Sequence, residues 1–394
     1  MHMTSAISAR HVVLSLTLLW LAGIGLRLTI LAPPPVISLV HADLAMTETE
    51  VGILSGLPAL LFALAAVPGS LLIARFGALS ALIIGLLATA AGSALRGAAP
   101  NVALLFAATV LTGFGVAVMQ PAMPPLVRAW LPNRIGFATA VYTNGLLVGE
   151  ILPVALTLPL VMPLMGDSWR WSFVVWGALC ALIALVIWPL APRPVNPAAD
   201  AAAPPRLWWP NWRSPLIWQL GAMLGSVNAM YFSVNFFMPR YLHETGRDAD
   251  ISAALTSLNV GQLPASILLL MVASGLERRR WPYLACGVLC LAAVLAIVLG
   301  NSLVVIAGAG LLGFSAAAVL VLMLVLPPLL SPPHDVHRTA AAMFTISYSC
   351  AVVTPILSGL AWDLTGVPAA AFVPIGLCAF LMIVPASRIT IRPH

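Results

Sequence analysis

Residues 281–330 read WPYLACGVLCLAAVLAIVLGNSLVVIAGAGLLGFSAAAVLVLMLVLPPLL, fifty positions without one charged side chain. A helix crosses the apolar core of a bilayer in about 20 residues. The run is too long for one span and fits two, divided at Gly300-Asn301 into 281–300 and 302–330. The same reading carried outward finds ten more spans, at 12–40, 51–73, 78–98, 101–127, 135–163, 171–192, 214–239, 251–276, 339–361 and 367–387. The expected fold class is therefore an all-α membrane protein with twelve transmembrane helices.

Composition agrees with that reading. Of 394 residues, 61% are hydrophobic and 8% charged, whereas a soluble domain carries about 25% charged residues. Mean hydropathy is +1.04. An ordinary soluble protein, a disordered chain, a coiled coil and a small disulfide scaffold are all excluded. The net charge of +6 comes from 18 arginines and no lysine, set against 12 acidic residues. These arginines are scattered between apolar runs and not gathered on one basic face, so nucleic acid is not an expected partner. They read instead as topology determinants. With the N-terminus inside, 13 of them fall on inner segments, only Arg96, Arg170, Arg240 and Arg247 fall outside, and Arg27 lies within a span. The positive-inside bias then places both termini and the central linker on the cytoplasmic side. The first apolar segment holds Arg27 and Pro33-Pro34-Pro35 and lacks a small-x-small cleavage site, so it is expected to be retained.

The longest polar interruption, rich in Pro and Ala, divides the chain into 1–193, a linker at 194–213, and 214–394, with six spans on each side. Short basic inner turns recur at matching places in the two halves, as GSLLIARFG at 69–77 and GLERRR at 275–280. Duplicated halves of this kind are common in secondary transporters.

Several stretches are similar to the major facilitator superfamily, and more narrowly to its cyanate permease/2-nitroimidazole transporter branch. The 70–77 turn is a degenerate form of the superfamily's loop motif, with Ala74 where an Asp is usual. Gly113-Phe-Gly115, Gln120, Pro124, Leu126-Val127-Arg128 and FATAVYT at 137–143 resemble the branch's fourth and fifth helices. Trp169-Arg170-Trp171 fits before helix 6, and Arg338, Tyr348, Pro355, Gly359, Asp363 and Gly366 fit in the last third. The chain departs from the branch at Gly25-Leu26-Arg27-Leu28, which keeps only the arginine of Asn-x-Arg-Pro. Val227-Asn228 stands for a Gln-Ser pair, and Glu150 for a small residue. The resemblance implies two pseudo-symmetric six-helix bundles that work as a monomer by alternating access.

Charges inside spans point to function, because arginine at a helix centre costs on the order of 2.5–3.5 kcal/mol on insertion scales. Arg27 is expected mid-helix, deep in the first span, where a guanidinium suits a small oxyanion or carboxylate. Glu150 is the other charge clearly inside a span. It has three readings: a structural pair with Arg27, a proton-coupling acid, or a direct substrate contact. The triple proline is expected to bend or break the first helix. Asn228, Tyr231 and Asn235 form a polar stripe on helix 7, and half-to-half correspondence sets Tyr231 near the place of Arg27. With Gln120 and Tyr348 they are the expected substrate-lining residues. Asn259 and Gln262 are three apart on helix 8 and offer either further donors or interhelical packing.

Gly145-x3-Gly149 reads as close helix packing. Gly149-Glu150 stands where the drug/proton antiporter motif has Gly-Pro, which weighs against drug efflux. His334, Asp335 and His337 read as a turn before a metal site. Residues 277–280 read as a solvated inner turn, and Trp208, Trp209, Trp212 and Trp218 as an interfacial belt. The five cysteines have no metal-ligand grouping, and no nucleotide loop or catalytic triad is present, so neither a cofactor nor enzymatic chemistry is expected. The expected function is secondary active transport of a small anionic solute (cyanate-, nitro- or carboxylate-like) with a proton as the candidate coupling ion. Two alternatives stand: proton-coupled efflux of a neutral or cationic compound, and a non-transporting membrane sensor or enzyme on the same scaffold. Besides the solute and the proton, membrane lipid is the expected partner.

Overall fold

The computed structural model describes residues 9–192 and 207–388. Most of the expected linker at 194–213, together with Arg193, Arg206 and Arg392, lies outside the described residues. Two compact units are present: Met1–Leu61 with Pro68–Trp209, and Phe62–Val67 with Pro210–His394. The described residues of both are helical.

Unit 1 is built from α1 (Ala9–Arg27), α2 (Ile37–Asp43), most of α3 (Glu48–Phe76), α4 (Ala78–Gly97), α5 (Val102–Trp130), α6 (Ile135–Leu156), α7 (Met162–Leu164) and α8 (Trp169–Leu190). Unit 2 holds α9 (Pro215–Glu244), α10 (Asp248–Val260), α11 (Gln262–Leu276), α12 (Trp281–Leu299), α13 (Ser302–Leu330), α14 (Val336–Thr365) and α15 (Phe372–Arg388). Among the described residues, eleven stretches are long and apolar enough to cross a membrane. The one expected span not among them, the seventh at 214–239, coincides with α9, which is 30 residues long. Its Gln219, Asn228, Tyr231 and Asn235 make it more polar than the rest.

The fifty-residue run that opens the sequence does divide at Gly300-Asn301. Asn301 is the N-cap of α13, its Oδ1 accepting from the Val304 N–H at 3.2 Å, so two residues suffice to end one helix and begin the next. The α4–α5 turn uses the same device: Asn101 Oδ1 accepts from the Leu104 N–H at 2.9 Å. Thr47 and Glu50 form a capping box at the start of α3, with Glu50 N–H donating to Thr47 Oγ1 at 3.2 Å and Thr47 N–H to Glu50 Oε2 at 2.7 Å.

Three expected spans are not continuous helices. The first stops at Arg27, passes through a turn, and resumes as a 3-10 turn at Pro34–Val36 and then α2. Proline has no N–H, so Pro33, Pro34 and Pro35 cannot donate to the carbonyls one turn back, and the helix ends before them. Arg27 is consequently the last residue of α1 and not a mid-helix residue. The fifth span ends as α6, a π turn at Thr157–Val161 and then α7. The eighth breaks at Gly261 into α10 and α11.

Candidate functional site

In unit 1 the site is set by how closely α1 and α6 approach. A Cβ added at Gly145 would lie 2.2 Å from the Trp20 carbonyl oxygen, and one at Gly149 would lie 2.4 Å from that of Ile24. Only glycine permits such backbone contact. Both helices advance by four residues between the two contacts, so they run parallel and in register. Trp20 Nε1 also donates to Asn144 Oδ1 at 3.1 Å. One turn further along, the register sets the end of α1 beside Glu150, and Arg27 Nε lies 3.3 Å from Glu150 Oε1.

The pair is asymmetric. The Arg27 side chain is 10% exposed and that of Glu150 27% exposed, so the acid is the more accessible partner. Of the three readings of Glu150, ion pairing with Arg27 is the one the geometry displays. Gln120 is buried in α5.

Unit 2 carries no comparable ion pair within its spans among the described residues. It presents a network of neutral side chains on the break in the eighth span. Tyr231 Oη donates to Asn259 Oδ1 at 2.6 Å and accepts from Gln262 Nε2 at 2.9 Å. Asn259 Nδ2 donates to Asn235 Oδ1 at 3.1 Å, and Asn235 Nδ2 to the Tyr231 carbonyl at 2.9 Å. Asn228 lies apart from this network and donates to Ser347 Oγ on α14 at 2.8 Å. That contact is made possible by a second glycine approach, in which Gly221 and Gly225 face Ile346, Ser347 and Cys350. Tyr348 is buried, stacked 6.3 Å from the Phe344 ring.

Two features differ from the sequence-based expectation. Glu277 is 4% exposed and its Oε2 has no hydrogen-bond partner, so it is not part of a solvated turn. Burial pushes its carboxyl above the ordinary carboxylate range. Arg96, expected on an outer segment as a topology determinant, is 1% exposed at the end of α4. It carried no sequence signal beyond its place at the edge of an apolar run. The turn at residues 334–338 is closed by Arg338 Nη1 on Asp335 Oδ1 at 2.6 Å.

Comparison with known proteins adds a family. The sequence profile described as Major Facilitator Superfamily matches residues 18–349. The cyanate transport protein CynX of Escherichia coli is 26% identical over 273 residues, which cover 68% of this chain and 69% of that protein. The 2-nitroimidazole transporter of Escherichia coli is 27% identical over 274 residues, covering 69% of this chain and 66% of that protein. Among solved structures, the Major Facilitator Superfamily transporter FucP in the outward conformation superposes with a TM-score of 0.74 at 15% identity. That match covers 95% of this chain and 97% of that one, and the likeness is one of fold.

Proposed function

The chain belongs to the Major Facilitator Superfamily, and from that premise we propose that it carries a small anionic solute across the bacterial inner membrane, with a proton on Glu150 as the coupling step. It is a multi-pass membrane transporter. The finer reading rests on one observation, the Arg27–Glu150 pair at 3.3 Å between two apolar helices.

The physical argument is one of charge. An isolated charge inside a membrane is costly, and breaking a buried pair leaves the remaining partner uncompensated. A small anion reaches Arg27 only if Glu150 gives up its hold. A proton on Glu150 removes its negative charge and loosens its hold on the guanidinium, whose fork then takes the oxygens of a cyanate-, nitro- or carboxylate-like group. Before and after the exchange the site carries no net charge, so neither end state of the exchange strands an ion. The solute passes through chemically unchanged. Gln120 is proposed as a neutral substrate contact in unit 1, and Asn228, Tyr231, Asn235 and Tyr348 as neutral substrate contacts in unit 2. Resemblance to the cyanate and 2-nitroimidazole transporters supports a small solute of this kind. The arginine distribution supports cytoplasmic termini, and the duplicated halves support a working monomer.

A second reading is proton-coupled efflux of a neutral or cationic compound. It is favoured by the greater exposure of Glu150 than Arg27, which would let a cation meet the acid first. Uptake into proteoliposomes separates the two. Labelled cyanate, nitrate and formate are offered under an inward proton gradient to wild type and to Arg27→Ala. Saturable anion uptake that falls about 100-fold in Arg27→Ala is the expected result. Anion-independent extrusion of cationic compounds, unchanged by Arg27→Ala, would overturn it.

A further inference from the structure

Arg96 is held at one edge only. Its Nη1 donates to the Thr29 carbonyl at 2.9 Å, and its guanidinium lies 5.9 Å from the centroid of the Phe173 ring. The first of these contacts has a local cause. In a continuous helix the Thr29 carbonyl would accept from residue 33, but Pro33 has no N–H. Arg96 is the donor that replaces it.

The other edge has no such account. Arg96 Nε and Nη2 are buried without a hydrogen-bond partner, and so is Thr29 Oγ1. Thr29 and Arg96 are 0% and 1% exposed. Among the described residues no carboxylate forms an ion pair with Arg96. The carbonyl end of α4 offsets part of its charge, as helix C-termini do, yet two N–H groups of Arg96 and the hydroxyl of Thr29, the residue whose carbonyl it holds, stay unused. Buried polar groups in that condition are rare and call for an explanation.

Nε and Nη2 form the side edge of the guanidinium, two parallel N–H bonds that match two oxygens of a planar oxyanion. Thr29, whose carbonyl already holds Nη1, carries a further unpartnered hydroxyl. We propose that Arg96 and Thr29 form a second binding site in unit 1, for a small monovalent planar oxyanion such as nitrate, formate or bicarbonate. It differs from the Arg27 site in its elements: Arg27 faces α6, whereas Arg96 joins the α1 break to α4 beside Phe173 of α8. The bound ion supplies the negative charge that Arg96 lacks, and it ties the broken end of α1 to α4. This site does not depend on Arg27 carrying substrate.

The test uses the full chain in detergent, titrated with sodium nitrate or sodium chloride in a gluconate background. Calorimetry gives affinity and stoichiometry, and the melting temperature reports linked stabilisation. Thr29→Val keeps the shape of the side chain and leaves the carbonyl contact of Arg96 in place. Arg96→Lys keeps a cation and one donor without the two-point edge. Expected are a saturable nitrate site that persists in Arg27→Ala, about a tenfold loss of its affinity in Thr29→Val, and loss of the preference for nitrate over chloride in Arg96→Lys. Wild-type nitrate affinity in Thr29→Val, or no saturable nitrate binding in Arg27→Ala, overturns the proposal. Binding that disappears in Arg27→Ala and is untouched by Thr29→Val removes this site and leaves the transport reading standing. Binding untouched by Arg27→Ala but weakened by Thr29→Val does the reverse.

Discussion

Arg27 and Glu150 are each placed in an apolar helix at a cost, and each makes the other tolerable. On the proposed mechanism Glu150 is where pH enters. Anion uptake by wild type is expected to rise as the external pH falls, because protonation opens the pair. Glu150→Gln, which keeps the shape but fixes the neutral form, should flatten that dependence; an initial-rate profile from pH 5 to 8 checks it. A second titrating pair lies beyond the apolar part of α9, where His243 Nδ1 is 2.6 Å from Asp248 Oδ1. The hydrogen bond to the Asp248 carboxylate raises the His243 pKa above its ordinary value. Its stabilising contribution is therefore complete below the ordinary histidine pKa and is lost as pH rises through the raised one. Asp248→Asn should move the His243 titration midpoint down, read by NMR on histidine-labelled protein. Both charges were legible as residues, since a charge stands out in an apolar run. Their pairing was legible only as one of three readings, because it depends on a helix register that sequence spacing only hints at. The burial of Arg96 was not legible for a related reason: a charge at a span's edge looks topogenic until the chain beside it is known to break.

Helix α1 shows why elements were easier to find than to delimit. Hydropathy marks where a segment is apolar, and Pro33-Pro34-Pro35 is apolar, so a span drawn at 12–40 runs straight through the break. The backbone donors decide the outcome, and three consecutive residues without an N–H end the helix. The break in the eighth span was harder to anticipate, because a single Gly261 marks it. The polar residues expected as one stripe on α9 divide in the structure, Asn228 bonding Ser347 of α14 while Tyr231 and Asn235 join Asn259, and α9 is not among the eleven strongly apolar stretches. The α1–α6 contact yields an element-scale prediction. In Gly149→Leu the new side chain begins 2.4 Å from the Ile24 carbonyl oxygen, so the helices must separate. Overpacking of this kind costs about 1–3 kcal/mol. A lowered melting temperature is expected together with loss of anion uptake, and Gly56→Leu, where a Cβ meets nothing within 4 Å, serves as the control.

Across the whole chain, the twofold repeat was visible in the basic inner turns, but the structure shows a stronger mark of it. Asn101 and Asn301 cap helices of equal length, 29 residues each, in units 1 and 2. Both sites follow a short turn after a preceding apolar helix, a signal available in the sequence once helix starts are compared and not only basic loops. Family membership was legible from the fourth and fifth helices, where backbone packing restricts which residues fit. The substrate was not, since the departures at Gly25, Leu28, Asn228 and Glu150 fall at or beside the residues proposed to meet it.

The Arg27–Glu150 pair has a consequence for energetics across the bilayer. Each elementary charge moved through the full membrane potential is worth about 2.3 kcal/mol per 100 mV. An anion entering with one proton moves none, because the two charges cancel at every depth they share. Clamping proteoliposomes with potassium and valinomycin at different voltages, at fixed pH gradient, should leave the uptake rate unchanged. On the proposed coupling such a carrier is driven by the pH and solute gradients without the voltage, and in a cell whose electrical gradient had collapsed it would import until the accumulated anion balanced the pH difference.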